Sequence, residues 1–171
     1  MKPLAPDEKI ATVMVYTPNM LVRGDVVVKE TVRVNIWLRT QGVPNFVHLQ
    51  KPQVVVFGGS PPKTYAHEEI FVPIDQVIGF HLAPPASEPL DYDATEVNRT
   101  MQPVQVLMGP FAMKGKIRIS SAADFATSLE VMKVSWNSIY DAEIVNPYLP
   151  QFSVSVPMLL VRPNSASVGI L

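Results

Sequence analysis

Cysteine is absent from this chain of 171 residues, and charged residues make up only 17% of it. The missing cysteine excludes disulfides, thiolate catalysis and cysteine-ligated zinc or iron–sulfur sites, and it fits a reducing compartment. Because charged residues usually make up about 25% of a globular protein, the surface must carry more apolar or neutral area. This deficit indicates either a Val- and Ile-rich β fold or an interface with a second copy or another protein.

Long apolar runs are also absent. No run approaches the ~18 residues of a membrane-spanning helix, and the stretch Met1–Lys9 lacks the apolar segment of a signal peptide. The net charge of −1 gives no overall attraction for nucleic acid or an anionic membrane. We therefore expect a soluble cytoplasmic protein without a membrane span.

Residue patterns typical of catalysis or metal binding are missing too. The histidines His48, His67 and His81 lie on different predicted strands, with no triad spacing and no metal-ligand spacing between them. No phosphate-binding loop or dinucleotide-binding glycine motif occurs, and Gly58-Gly59 is typical of a turn. We expect no enzyme activity, no cofactor and no metal site.

What the chain does contain is a recurring pattern. Gly24, within the Val-rich segment Met20–Val28, matches Gly115, within Phe111–Ile119, at a separation of 91 residues (115 − 24). A lone glycine in a strand usually marks a bulge or a bend. Because both segments carry one at the same place, we predict that each bends its strand there.

Two further blocks recur in the same order. The matched pairs, each 90 residues apart (136 − 46), are Phe46 with Trp136, Leu49 with Ile139, Val54 with Ile144, and the block Val77–Phe80 with Ser167–Ile170, which aligns Gly79 with Gly169. Self-similarity at a fixed period is typical of a repeated structural unit. The sequence thus predicts a tandem duplication in which Gly24, Gly115, Gly79 and Gly169 are structural glycines.

The duplication divides the chain into two β-rich repeats, 10–82 and 103–171, joined by a linker at 83–102. The linker is rich in proline and acidic residues, a composition typical of an extended connector. We expect it to be mobile and sensitive to proteases, because it has little apolar surface to bury.

Each repeat is predicted to be mainly β with one short helix. The predicted strands are Ile10–Tyr16, Met20–Lys29, Phe46–Phe57, Glu68–Pro73, Gln76–Leu82, Val104–Met108, Phe111–Ile119, Ser138–Val145, Phe152–Val161 and Ser167–Leu171. Ser121–Asp124 resembles a capping box before a helix. Its counterpart Thr31–Thr40 alternates like a strand, but the repeat favours a helix there, and both alternatives stay open.

The order of elements, a bent strand with a central glycine, a short helix, an aromatic-started strand and a closing pair, resembles an uncharacterised family of short bacterial β-rich proteins. The matching stretches in the first repeat are Arg33–Leu38, Phe46–Leu49 and Phe71–Ile78; those in the second are Asp124-Phe125, Met158–Val161 and Val168–Ile170. The resemblance implies two small Sm-like β-barrels or half-barrels, and it carries no established activity.

One basic row is a candidate functional feature. Lys114, Lys116 and Arg118 alternate along a predicted strand, so they project from one face. Such a row could hold the phosphates of single-stranded RNA or DNA, although a solvated strand face explains it equally well. The counterparts in the first repeat, Arg23, Asp25 and Val27, do not continue the pattern.

Three functional hypotheses follow. The first is a non-enzymatic interaction or assembly module that forms a homo-oligomer or binds a protein partner. The second is a nucleic-acid-binding protein that uses the basic row. The third is a small-molecule sensor with a cleft between the repeats, where ligand sites commonly form.

Overall fold

The computed structural model describes residues 3–171 and is mainly β. Its strands are β1 (Glu8–Tyr16), β2 (Met20–Lys29), β3 (Phe46–Val56), β4 (Lys63–Ala66), β5 (Glu69–Pro73), β6 (Gly79–Leu82), β7 (Arg99–Met108), β8 (Phe111–Ser120), β9 (Asn137–Val145), β10 (Ser153–Val161) and β11 (Ala166–Ile170). Most predicted strands are present with ends shifted by a few residues. The short strand β4 was not predicted.

All eleven strands belong to one open antiparallel sheet, in the order β11-β7-β8-β9-β10-β6-β1-β2-β3-β4, with β5 also paired to β3. The sheet is therefore not a closed barrel, which excludes closed barrels from the two alternatives, barrels or half-barrels, that the resemblance implied. The reason is that β6 pairs with β1 on one side and, through Phe80 and Leu160, with β10 on the other. The last strand of the first half is thus bonded to the second half instead of closing its own barrel.

The irregularities predicted at Gly24 and Gly115 are present. The pairing of β2 with β3 shifts register between Arg23 and Asp25, and that of β8 with β9 shifts between Lys114 and Lys116. Opposite these glycines lie two residues with positive φ, Lys51 (φ 47°) and Asp141 (φ 49°). An extra residue on the partner strand bends the strand and increases its twist.

The bent sheet encloses two hydrophobic cores, one on each face of its central strands. On β1, Val13 and Val15 belong to one core, whereas Met14 and Tyr16 belong to the other. β10 does the same, with Leu160 in the first core and residues such as Leu159 in the second. Because neighbouring strand residues point to opposite faces, these strands are buried on both sides and serve both cores.

The two short helices differ in type. Val34–Arg39 is a 3-10 helix, so the strand alternative for this segment was wrong. The second half has the α-helix α1 (Phe125–Val131). Its N-cap is Asp124, whose carboxylate accepts a 2.8 Å hydrogen bond from the Thr127 amide. The expected capping box began at Ser121, one turn before the observed N-cap, and was therefore wrong in its position.

The segment between β6 and β7 is held by specific contacts in its first part. The Glu88 carboxylate accepts hydrogen bonds from the Val34 amide at 3.0 Å and the Asn35 amide at 2.9 Å, and so caps the 3-10 helix from a distant part of the chain. β7 begins at Arg99, inside the predicted linker. The limits 10–82, 83–102 and 103–171 stay predictions for independent folding units.

Candidate functional site

A polar network centred on Asp91 joins the two halves of the molecule. The Asp91 carboxylate accepts hydrogen bonds from the Ser138 hydroxyl at 2.8 Å and the Tyr140 hydroxyl at 2.6 Å, both on β9. It also forms an ion pair with Arg39, the last residue of the 3-10 helix. One carboxylate from the connecting segment therefore links an element of each half.

Arg39 completes the network. Its guanidinium donates to the Trp136 carbonyl at 2.9 Å and to the Ser138 hydroxyl at 2.8 Å. Charged hydrogen bonds with several partners fix a planar guanidinium more firmly than a single surface pair would. The position of the 3-10 helix relative to β9 is thereby set by side chains.

The network also shifts two pKa values. Burial alone would raise the pKa of Asp91, but the hydrogen bonds from Tyr140 and Ser138 and the charge of Arg39 outweigh it and hold that pKa below its usual value. Burial and the Asp91 hydrogen bond raise the pKa of the Tyr140 hydroxyl. At neutral pH Asp91 is thus an anion and Tyr140 a neutral donor.

Beside this network lies a cavity of about 420 Å³. It is lined by Arg39, Asp91, Ile117, Arg118, Met132, Val134, Ser135, Trp136, Asn137, Ser138 and Tyr140. Pockets of roughly 300–1,000 Å³ with apolar walls and a few placed polar groups are typical of small-molecule sites. We call it the junction cavity, because its lining comes from both halves and the connecting segment.

The predicted basic row is present on β8, but two of its three cations are paired. Lys116 Nζ lies 2.8 Å from an Asp141 carboxylate oxygen, and Arg118 Nη1 lies 2.6 Å from a Glu96 carboxylate oxygen. Among residues 3–171, Lys114 forms no ion pair. Since partner carboxylates already balance most of the row, it offers less positive charge than the sequence suggests.

The histidines do not come together. His81 is buried on β6, where its Nε2 lies 2.8 Å from the Tyr16 hydroxyl and its Nδ1 2.6 Å from the Leu82 carbonyl oxygen. A carbonyl only accepts, so Nδ1 carries the proton and Tyr16 donates to Nε2. Burial lowers the pKa of His81 to about 4. In the described part of the chain, no group of metal-ligating side chains is assembled.

A second candidate surface lies on the outer face of the first half. Phe46, half-exposed on β3, precedes His48 by two residues on that strand. Phe71, 57% exposed on β5, is the cross-strand partner of His48, and the two rings stack at 4.3 Å between centroids. Phe46 and His48 also line a groove of about 320 Å³ with Leu4 and Ile10. We call these five residues the aromatic strip. No sequence pattern predicts this strip, because the alternation along β3 does not reveal which face lacks a covering layer.

The structural glycines differ in how closely they are packed. A Cβ atom at Gly115 would lie 2.6 Å from Ile139 Cγ2, and one at Gly24 would lie 3.1 Å from the Gln50 carbonyl oxygen. At Gly79 the nearest atom would be the flexible end of Met108, at 2.7 Å. Gly169 has no neighbour closer than 3.9 Å, so close packing does not require a glycine there.

The described residues contain no helix that is long and apolar enough to cross a membrane. Comparisons with protein-family models, curated proteins and solved structures found no match to this chain. Only the geometry and chemistry of the site therefore bear on function.

Proposed function

We propose that this protein is a non-enzymatic assembly module of two tandem half-barrel units that self-associates through the aromatic strip. Exposed apolar residues scattered singly are ordinary, but a contiguous patch is typical of an interaction surface. Phe46, Ile10 and Leu4 are each about half exposed and share one groove. This clustering is the observation that carries the proposal.

The charges around the strip favour a second copy as the occupant. The groove is lined by one carboxylate, Glu8, and that carboxylate lies 3.8 Å from Lys29 Nζ. His48 likewise lies 3.0 Å from Glu69. Since the strip carries little unbalanced charge, two copies can face one another around a two-fold axis without like-charge repulsion.

Light scattering after size-exclusion chromatography tests the proposal. We expect the native chain to be a dimer at micromolar concentration and the double variant Phe46→Ser, Phe71→Ser to be a monomer. Leu107→Ser is the matched control, because Leu107 is 52% exposed on β7, away from the strip, and it should leave the dimer intact. A native chain that remains monomeric at a concentration of hundreds of micromolar would overturn the proposal.

The tandem Sm-like origin, the cytoplasmic location and the absence of enzyme activity stay predictions. Nucleic-acid binding is the weaker alternative, since carboxylates neutralise Lys116 and Arg118. A small-molecule site between the halves is supported by a specific observation, the junction cavity.

A further inference from the structure

Aromatic and apolar side chains form part of the junction-cavity lining. Trp136 and Tyr140 present only small parts of their surface, at 3% and 6% exposure, and the buried Ile117 lines the cavity as well. Arg162 lies over the Trp136 ring, with its guanidinium carbon 4.4 Å from the centroid. Rings held in this way are rigid before a ligand arrives, which lowers the cost of binding.

The charges in the lining favour an anion. Arg39 and Arg118 are the cations among the lining residues, and Asp91 is the carboxylate. Asp91 is committed to Arg39, Ser138 and Tyr140. The lining therefore carries one positive charge in excess, at Arg118.

Arg118 is held in position for such a role. Its guanidinium carbon lies 4.7 Å from the centroid of the Tyr92 ring, and its Nη2 donates to the Asp93 carbonyl at 2.9 Å. The side chain is 15% exposed. A planar guanidinium fixed by stacking and a backbone acceptor is well suited to bind a carboxylate, sulfonate or phosphate.

The carboxylate that balances Arg118 comes from outside the cavity lining. It belongs to Glu96, whose side chain is 46% exposed and which lies in the exposed stretch 93–98. Because the Glu96 side chain is half-exposed, water can solvate its carboxylate once it leaves Arg118. Its replacement by a ligand anion therefore costs less than the replacement of a buried carboxylate would.

We propose that the junction cavity binds a small aromatic anion, with its rings against Trp136 and Tyr140 and its anionic group on Arg118 in place of the Glu96 carboxylate. Glu96 is then a built-in competitor for the site. The proposal is independent of self-association through the aromatic strip.

Two fluorescent probes test this assignment. Anilinonaphthalene sulfonate has aromatic rings and an anionic group, and N-phenylnaphthylamine has the same rings without the charge. Both are titrated into the Phe46→Ser, Phe71→Ser background, so that the aromatic strip adds no signal. We expect Arg118→Met to weaken sulfonate binding by about tenfold or more, because charged hydrogen bonds to the sulfonate are lost. The affinity for the neutral probe should change by less than about twofold, because that probe makes no such bonds.

Two further variants sharpen the result. Glu96→Gln should tighten sulfonate binding several-fold, because it removes the competing charge at a half-exposed position. Lys114→Met is the matched control, since it removes a cation of the same strand that does not line the cavity, and it should change neither probe. If Arg118→Met proves unstable, the tightening by Glu96→Gln carries the test alone.

Sulfonate affinity that is the same with and without Arg118→Met in the Phe46→Ser, Phe71→Ser background would overturn the proposal, as would an equal loss of affinity for both probes. An unchanged affinity in Glu96→Gln would also contradict it.

Discussion

The two halves of the sheet have the same pattern of strand pairing but occupy different positions in the sheet. In each, a bulge opposite a glycine, Gly24 or Gly115, bends the second strand against the third, and a closing strand returns to pair with the first. The first half has its closing pair, β1 and β6, at the centre of the sheet. The second half has the equivalent pair, β7 and β11, at an edge.

The residues at matched positions show the consequence. Tyr16 and His81 are buried at 0% and 1% exposure. The counterpart of Tyr16 is Leu107 (107 − 16 = 91), which is 52% exposed. The counterpart of His81 is Gly169, since it pairs with Gln105 (105 − 14 = 91) as His81 pairs with Met14, and it is exposed as well. The same pattern of strand pairing thus lies in two different environments, because only the central pair, β1 and β6, is covered on both faces.

The largest effect that should distinguish the halves is a pH dependence from His81. Unfolded histidine titrates near pH 6.5, whereas His81 in the folded protein has a pKa of about 4. Between these values the unfolded chain binds the extra proton, so the free energy of unfolding should fall as pH drops from about 6.5 to 4, by on the order of 3 kcal/mol.

Urea unfolding at a series of pH values measures this slope. His81→Gln should flatten it between pH 6.5 and 4.5. His67→Gln is the control, because His67 is exposed on the same half. Equal slopes in the native chain and in His81→Gln would show that burial of this ring does not control acid stability.

The next largest effect should be a difference in unfolding free energy between alanine variants at the two bulges. Gly115→Ala should lower the free energy of unfolding by about 2 kcal/mol, because overpacking a closely packed position typically costs 1–3 kcal/mol. A Cβ there would lie 2.6 Å from the branched side chain of Ile139 and 3.0 Å from the Tyr140 carbonyl oxygen. Gly24→Ala should cost about half as much, since its nearest contacts are at 3.1 Å.

Chemical denaturation of the three alanine variants checks the order. Gly169→Ala is the reference, because its nearest neighbour is 3.9 Å away, and it should be close to neutral. If Gly24→Ala proves more damaging than Gly115→Ala, the two bulges are not packed as the distances indicate.

The strands and bulges could be predicted from the sequence, because each is marked by a short local pattern. Alternation marks a strand, and the glycines at 24 and 115 mark the irregularities. The helix cap at Asp124 was missed by one turn, since three polar or small residues precede it.

The single sheet and the junction network could not be read in this way. Asp91 contacts Arg39 and Tyr140, which lie 52 and 49 residues away in the chain. The partners that neutralise the basic row, Glu96 and Asp141, come from the connecting segment and the bulge of β9. Such contacts depend on how bent strands meet, which no short pattern encodes.

Proteolysis of the connecting segment tests whether the two halves can be separated. Glu88 and Asp91 fix the first part of the connecting segment, whereas residues 93–98 are exposed, with Val97 at 96%. A glutamate-specific protease should therefore cut first after Glu96. This prediction places the protease-sensitive part of the linker 83–102 within residues 93–98. Mass spectrometry of early digests locates the cut.

The two fragments should stay together in size-exclusion chromatography after that cut, without a large loss of stability. β6 pairs with β10 across the junction, and the Arg162 guanidinium donates to the Val77 carbonyl at 2.8 Å and the Ile74 carbonyl at 2.7 Å. Both cores also need the central strands. Fragments that separate and remain folded would show two independent units, and a first cut inside a strand would contradict the division of the chain.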